Sequence, residues 1–143
     1  MLTVAHIIQS KPSQTTHTIS PEATVLEAIS LMAEKGIGAL VVTEQNKVVG
    51  IVSERDYARK VALMERSSYD TLVTDIMTHK VLTVEGRHTV EQCLTLMTDR
   101  HLRHLPVVEN DKLIGLVSIG DLVKGIIEQQ QQLIQQLQNY IAS

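Results

Sequence analysis

Gly50-Ile51-Val52-Ser53-Glu54-Arg55-Asp56 and Gly115-Leu116-Val117-Ser118-Ile119-Gly120-Asp121 are one motif written twice, 65 residues apart in a chain of 143. Each is an apolar run ending in Ser-x-x-Asp, a pattern that caps the start of a helix. At the same offset, His17–Val61 aligns with Leu82–Ile126 without a gap, and 13 of the 45 positions are identical. Other positions exchange one aliphatic residue for another, as in Ile19/Val84 and Val49/Ile114. Upstream, His6-Ile7-Ile8 matches Asp75-Ile76-Met77 at an offset of 69. The chain is an internal duplication.

Both copies read in the order β-α-β-β-α. A short extended piece comes first, Thr18-Ile19 or Leu82-Thr83-Val84. Thr24-x-x-Glu27 and Thr89-x-x-Gln92 then form capping boxes, which satisfy orphan N–H groups at a helix start. Apolar residues follow at helical spacing, Val25, Ala28, Ile29, Met32 and Val90, Cys93, Leu94, Met97. Two apolar runs separated by a polar turn, Glu44-Gln45-Asn46-Lys47 or Glu109-Asn110-Asp111-Lys112, make a hairpin. A second helix starts at Ser53 or Ser118. One such unit of about sixty residues is marginal alone. The two are therefore expected to pack around a pseudo-two-fold axis. The fold class is α/β (α+β), with a C-terminal helix. The tail from Ile126 is glutamine-rich, and Ile126, Leu133, Leu137 and Ile141 form a helical stripe.

Composition narrows the field. The chain is 43% hydrophobic and 20% charged with a net charge of −3, which argues against disorder. The absence of basic excess, and of Phe and Trp, gives no sign of a nucleic-acid or anionic-membrane partner. One cysteine, Cys93, rules out an internal disulfide and reads as a small core residue. No signal peptide or spanning segment is evident, so a cytoplasmic protein is expected. Motifs for catalysis are missing: no G-x-S-x-G, H-E-x-x-H, Walker loop or G-x-G-x-x-G. The expectation is a binding module and not an enzyme.

The two Gly-to-Asp motifs, with Leu102-Arg103-His104-Leu105-Pro106-Val107-Val108, resemble the CBS-domain family, named for the regulatory region of cystathionine β-synthase. The resemblance covers almost the whole chain except the tail. It implies a stand-alone tandem pair, or Bateman module: residues 1–61 as the first motif, 62–72 as linker, 73–127 as the second motif and 128–143 as the C-terminal helix. Such pairs bind adenosine-containing ligands such as AMP, ADP, ATP, NAD or S-adenosylmethionine. They regulate a partner protein and commonly pair into homodimers. The resemblance therefore implies a nucleotide ligand, a homodimer and a regulated partner. The alternative is a structural dimerisation module with vestigial pockets.

Read from residues alone, Ser53/Asp56 and Ser118/Asp121 are helix caps. By the resemblance, Asp56 and Asp121 accept hydrogen bonds from ribose hydroxyls, and Ser53 and Ser118 face phosphate. Both roles suit the chemistry, since a carboxylate offers acceptors to two diol donors. By the same resemblance Thr18-Ile19 and Thr83-Val84 line the adenine slots, as do Gly38-Ala39 and Arg103-His104, and the basic stretch can serve either pocket. Arg55 lies inside the first Ser-x-x-Asp. Pro106 stands where the first copy has Val41, so the two pockets are expected to differ. Arg100 and His101 are phosphate candidates, or else cations complementing a helix end. Two histidines without a third ligand make no metal site. A pocket rimmed by these side chains should favour more negative phosphates and weaken as histidines lose charge near their ordinary value of ~6.5.

Overall fold

The computed structural model describes residues 1–12 and 15–142. Strand β1 is Thr18–Ile19, β2 Ala39–Glu44 and β3 Lys47–Ser53; they form one three-stranded sheet in that order. Strands β4 (His104–Glu109) and β5 (Lys112–Ser118) form a second, two-stranded sheet. The helices are α1 (Val4–Ser10), α2 (Val25–Lys35), α3 (Glu54–Tyr57), α4 (Val73–Ile76), α5 (Val90–Arg100) and α6 (Ile119–Ala142). A π-helical turn, Ala58–Ala62, continues α3. Both hairpins close on two residues with positive φ, Gln45 (52°) and Asn46 (65°), and Asn110 (51°) and Asp111 (64°). That is the geometry whose twist suits neighbouring antiparallel strands.

The chain divides into two compact units. One holds Thr15–Leu82 and Asn110–Ile114; the other holds Met1–Gln14, Thr83–Glu109 and Gly115–Ser143. The leading helices are therefore exchanged: α1, which precedes the first repeat, packs with the second. Val4 N–H donates to the His88 carbonyl (2.9 Å), Ala5 N–H to Gly86 (3.0 Å), and Val90 N–H to Leu2 (3.0 Å). The first-repeat unit repeats these bonds with α4: Val73 N–H to Ala23 (2.8 Å), Thr74 N–H to Pro21 (2.9 Å), and Val25 N–H to Thr71 (2.8 Å). These segments belong to the folds, and residues 62–72 are more than a tether.

The cores correspond position by position. Val25, Ala28, Met32, Leu40, Val42, Val52, Val73 and Ile76 are buried in one unit. Val90, Cys93, Met97, Leu105, Val107, Val117, Val4 and Ile7 are buried in the other. Cys93 takes the place of Ala28, and burial pushes its thiol up, away from reactivity. Gly50 leaves room for Met77 and the Thr78 carbonyl, while Gly115 leaves room for Ile8. The repeated glycine thus admits a side chain just beyond each leading helix's buried pair.

Three local expectations are corrected. The strand read at Leu82-Thr83-Val84 shrinks to a single parallel bridge, Val84 to Val107, where the first copy pairs both Thr18 with Val41 and Ile19 with Val42. Pro106 replaces Val41 and has no N–H to contribute to the second rung. The capping box is reciprocal at Thr89/Gln92, but at Thr24 only the threonine oxygen accepts, from Glu27 N–H. The tail is no separate segment, because α6 runs unbroken for 24 residues from the second motif.

Candidate functional site

The sheet register gathers the first set of residues. Thr18 lies opposite Val41 on β2, and Ala39 lies opposite Ser53 on β3. The starts of β1 and β2 and the end of β3 therefore share one end of the sheet. Glu54 N–H donates to the Gly38 carbonyl (3.0 Å), tying the start of α3 to the start of β2. Thr18, Arg55 and Glu54 are exposed, Ile19, Gly38, Ser53 and Asp56 half-buried, and Ala39 buried.

Asp56 closes a capping box: its Oδ2 accepts from Ser53 N–H (2.9 Å) and Ser53 Oγ (3.1 Å), and its N–H donates to Ser53 Oγ (3.2 Å). Lys60 Nζ stands 3.5 Å from the other oxygen, Oδ1, and donates to the Ile76 carbonyl at 2.8 Å. The Asp56 side chain is 18% exposed.

The second-repeat unit builds the counterpart. Ile119 N–H donates to the Arg103 carbonyl (3.0 Å), as Glu54 does to Gly38. Asp121 Oδ2 accepts from Ser118 N–H (2.9 Å), and Asp121 N–H donates to Ser118 Oγ (3.0 Å). Here the lysine is Lys11, whose Nζ lies 3.1 Å from Asp121 Oδ2 and donates to the Leu116 carbonyl (2.9 Å). Thr83 and Arg103 are exposed, His104 and Ser118 half-buried, and Val84 and Pro106 buried. The Pro106 carbonyl accepts from Val84 N–H (3.0 Å).

Electrostatics separate the two sites. Burial alone would raise Asp121, but hydrogen bonds from Ser118 and the Lys11 ammonium hold its carboxyl below the usual range. Burial pushes His104 below its ordinary value; Asp121 pulls it back up, and Arg103 and Lys11 push it further down. The balance favours the neutral form of His104. At this residue, charge is gained at lower pH than for an unperturbed imidazole.

Arg100 and His101 are placed differently. Arg100 ends α5 and His101 is its left-handed C-cap (φ 57°), where the first copy has Gly36 (φ 65°). Both are exposed, and among the described residues no hydrogen bond or ion pair joins either to Asp121. Nor does any group of three His, Cys, Asp or Glu side chains gather there as a metal site requires.

The two lysines escaped the sequence reading. Lys60 carries a weak signal, four residues after Asp56 on one helical face. Lys11 carries none, because it precedes the first repeat yet serves the second.

The chain is thus a tandem of two α+β units, each with a Ser-x-x-Asp cap at the end of its hairpin. The family model for the CBS domain matches residues 4–63 and 73–128, and the chain belongs to that family as a tandem pair. It is 42% identical over 123 residues to the CBS domain-containing protein CBSX3, mitochondrial, of Arabidopsis thaliana, covering 82% of this chain and 60% of that one. A CBS-domain protein from Burkholderia ambifaria superposes with a TM-score of 0.86 at 54% identity, over 90% of this chain and 96% of that one. The hexameric CBS-CP12 protein from bloom-forming cyanobacteria gives 0.76 at 31% identity, over 86% and 70%. The chain spans only 60% and 55% of the first two curated relatives it matches. No described helix is long and apolar enough to cross a membrane.

Proposed function

We propose that this chain is a regulatory module that binds adenosine-containing nucleotides of the AMP, ADP, ATP or NAD type and is not itself a catalyst. The observation that carries the reading is the twice-built Ser-x-x-Asp cap at the end of each hairpin. In each, the carboxylate already works as a multiple acceptor, the role that ribose hydroxyls require. Thr18, Ile19, Gly38 and Ala39 would flank the base in one site, and Thr83, Val84, Arg103, His104 and Pro106 in the other. Ser53, Arg55 and Lys60, or Ser118 and Lys11, would meet phosphate, with Arg100 and His101 as outer phosphate candidates. Binding would be relayed by conformational change to a regulated protein, in a cytoplasmic homodimer. Neither a membrane nor a nucleic acid is a partner in this reading, and no metal is required.

A specific observation favours the structural alternative: both carboxylates are engaged by their own caps and lysines. Thermal unfolding with AMP, ADP, ATP, NAD and S-adenosylmethionine separates the two. A nucleotide held at 100 times its Kd adds about 2.7 kcal/mol of stability. A clear rise in Tm with at least one of them supports the proposal; no shift with any of them at millimolar concentration supports vestigial pockets.

A further inference from the structure

Helix α6 leaves an apolar stripe uncovered by its own unit. The face turned inward carries Leu122, fully buried, and Gly125, against Ile7 and Leu2. About a third of a turn away lies a second face. Val123, Ile127, Gln130, Ile134, Leu137 and Ile141 recur there at alternating steps of 4 and 3 residues, the spacing of a coiled-coil seam. The apolar members are 41–81% exposed.

We propose that this seam pairs with the same seam of a second copy as a parallel, in-register, two-stranded coiled coil. Three features select that occupant. Ile127, Ile134 and Ile141 fall at one set of seam positions, and Leu137 at the other; β-branched residues at the first with leucine at the second favour two parallel strands. From Gln129 to Ala142 there is no charged residue, so nothing on either flank selects an oppositely charged protein. An interfacial membrane helix would carry Lys and Arg on its polar face, which this stretch lacks.

Gln130 sets the direction. In register and parallel, it faces Gln130 of the second copy, and an amide is both donor and acceptor, so the two satisfy each other. An antiparallel pairing centred on the same seam puts Gln130 against Ile134 and strands its amide among aliphatic groups. The pairing does not depend on the nucleotide reading.

The test uses the full chain with Cys93→Ala, a change to the residue its own counterpart Ala28 carries, and one new cysteine at an exposed position. Under mild oxidation at micromolar concentration, Leu137→Cys should link to itself nearly completely. Adding Ile134→Glu should slow that linkage at least tenfold. Gln132→Cys, on the opposite face, should not link. The proposal is overturned if Leu137→Cys stays unlinked, or if it links only when mixed with Ile127→Cys, the antiparallel result. Linkage of Gln132→Cys at the same rate as Leu137→Cys also overturns it, since collision would then explain both.

Discussion

Lys11 and Lys60 hold equivalent aspartates from unrelated places in the chain. Lys60 rides on the segment that follows its own cap, while Lys11 arrives with the exchanged N-terminal segment. The Lys11–Asp121 pair is partly exposed, at 33% and 28%, so its worth is that of a screened pair, about 0.5–1 kcal/mol. Lys11→Met should lower stability by that amount at pH 7. The sign with pH follows from Asp121. Its folded value lies below its unfolded one, so the contribution is present above the ordinary carboxylate range and is lost as pH falls through the folded value. The gap between wild type and Lys11→Met, measured by urea titration, should narrow as pH falls from 7 through and below the ordinary carboxylate range of about 4. A gap constant over that range would show that Lys11 acts by packing alone.

At the level of elements, the hairpins, the capped helices and the buried faces of α2 and α5 were legible because the repeat states each signal twice. The exchange of α1 and α4 was not, since nothing local says which copy a leading segment joins. Its trace was the second offset, 69 against 65, which detached that segment from the repeat body. The first strand of the second copy misled for a local reason: Pro106 silences a rung that its apolar neighbours advertise. Ser53/Asp56 and Ser118/Asp121 could be read from spacing as helix caps. Arg100 and His101 read either as phosphate candidates or as cations at a helix end, and they stand at the end of α5, where His101 is the left-handed C-cap. The repeated glycines give a test of the exchange. A Cβ on Gly50 would meet Met77 Sδ at 2.5 Å and the Thr78 carbonyl at 3.0 Å, whereas the three atoms nearest a Cβ on Gly115 all belong to the Ile8 side chain, its terminal methyl first. Gly50→Ala should cost about 1–3 kcal/mol, and Gly115→Ala less. Equal effects in chemical denaturation would contradict the close approach of Met77 and Thr78 to β3.

For the whole molecule, the proposed function rests on two helix caps built alike with different neighbours. The first has Gly38-Ala39 where the second has Arg103-His104, and in the second burial favours the neutral form of His104. Two classes of site, differing in affinity or phosphate preference, are therefore expected. The most direct measurement is calorimetric titration of AMP and ATP into wild type, Asp56→Asn, Asp121→Asn and the double variant, each first shown to be folded by its melting curve. Hydrogen bonds to a charged group contribute about 1.5–3 kcal/mol. Each single change should thus weaken one class of site roughly tenfold or more and leave the other, and the double variant should lose both. A folded double variant that binds nucleotide as wild type does would show that the aspartates only cap their helices, and would contradict the account.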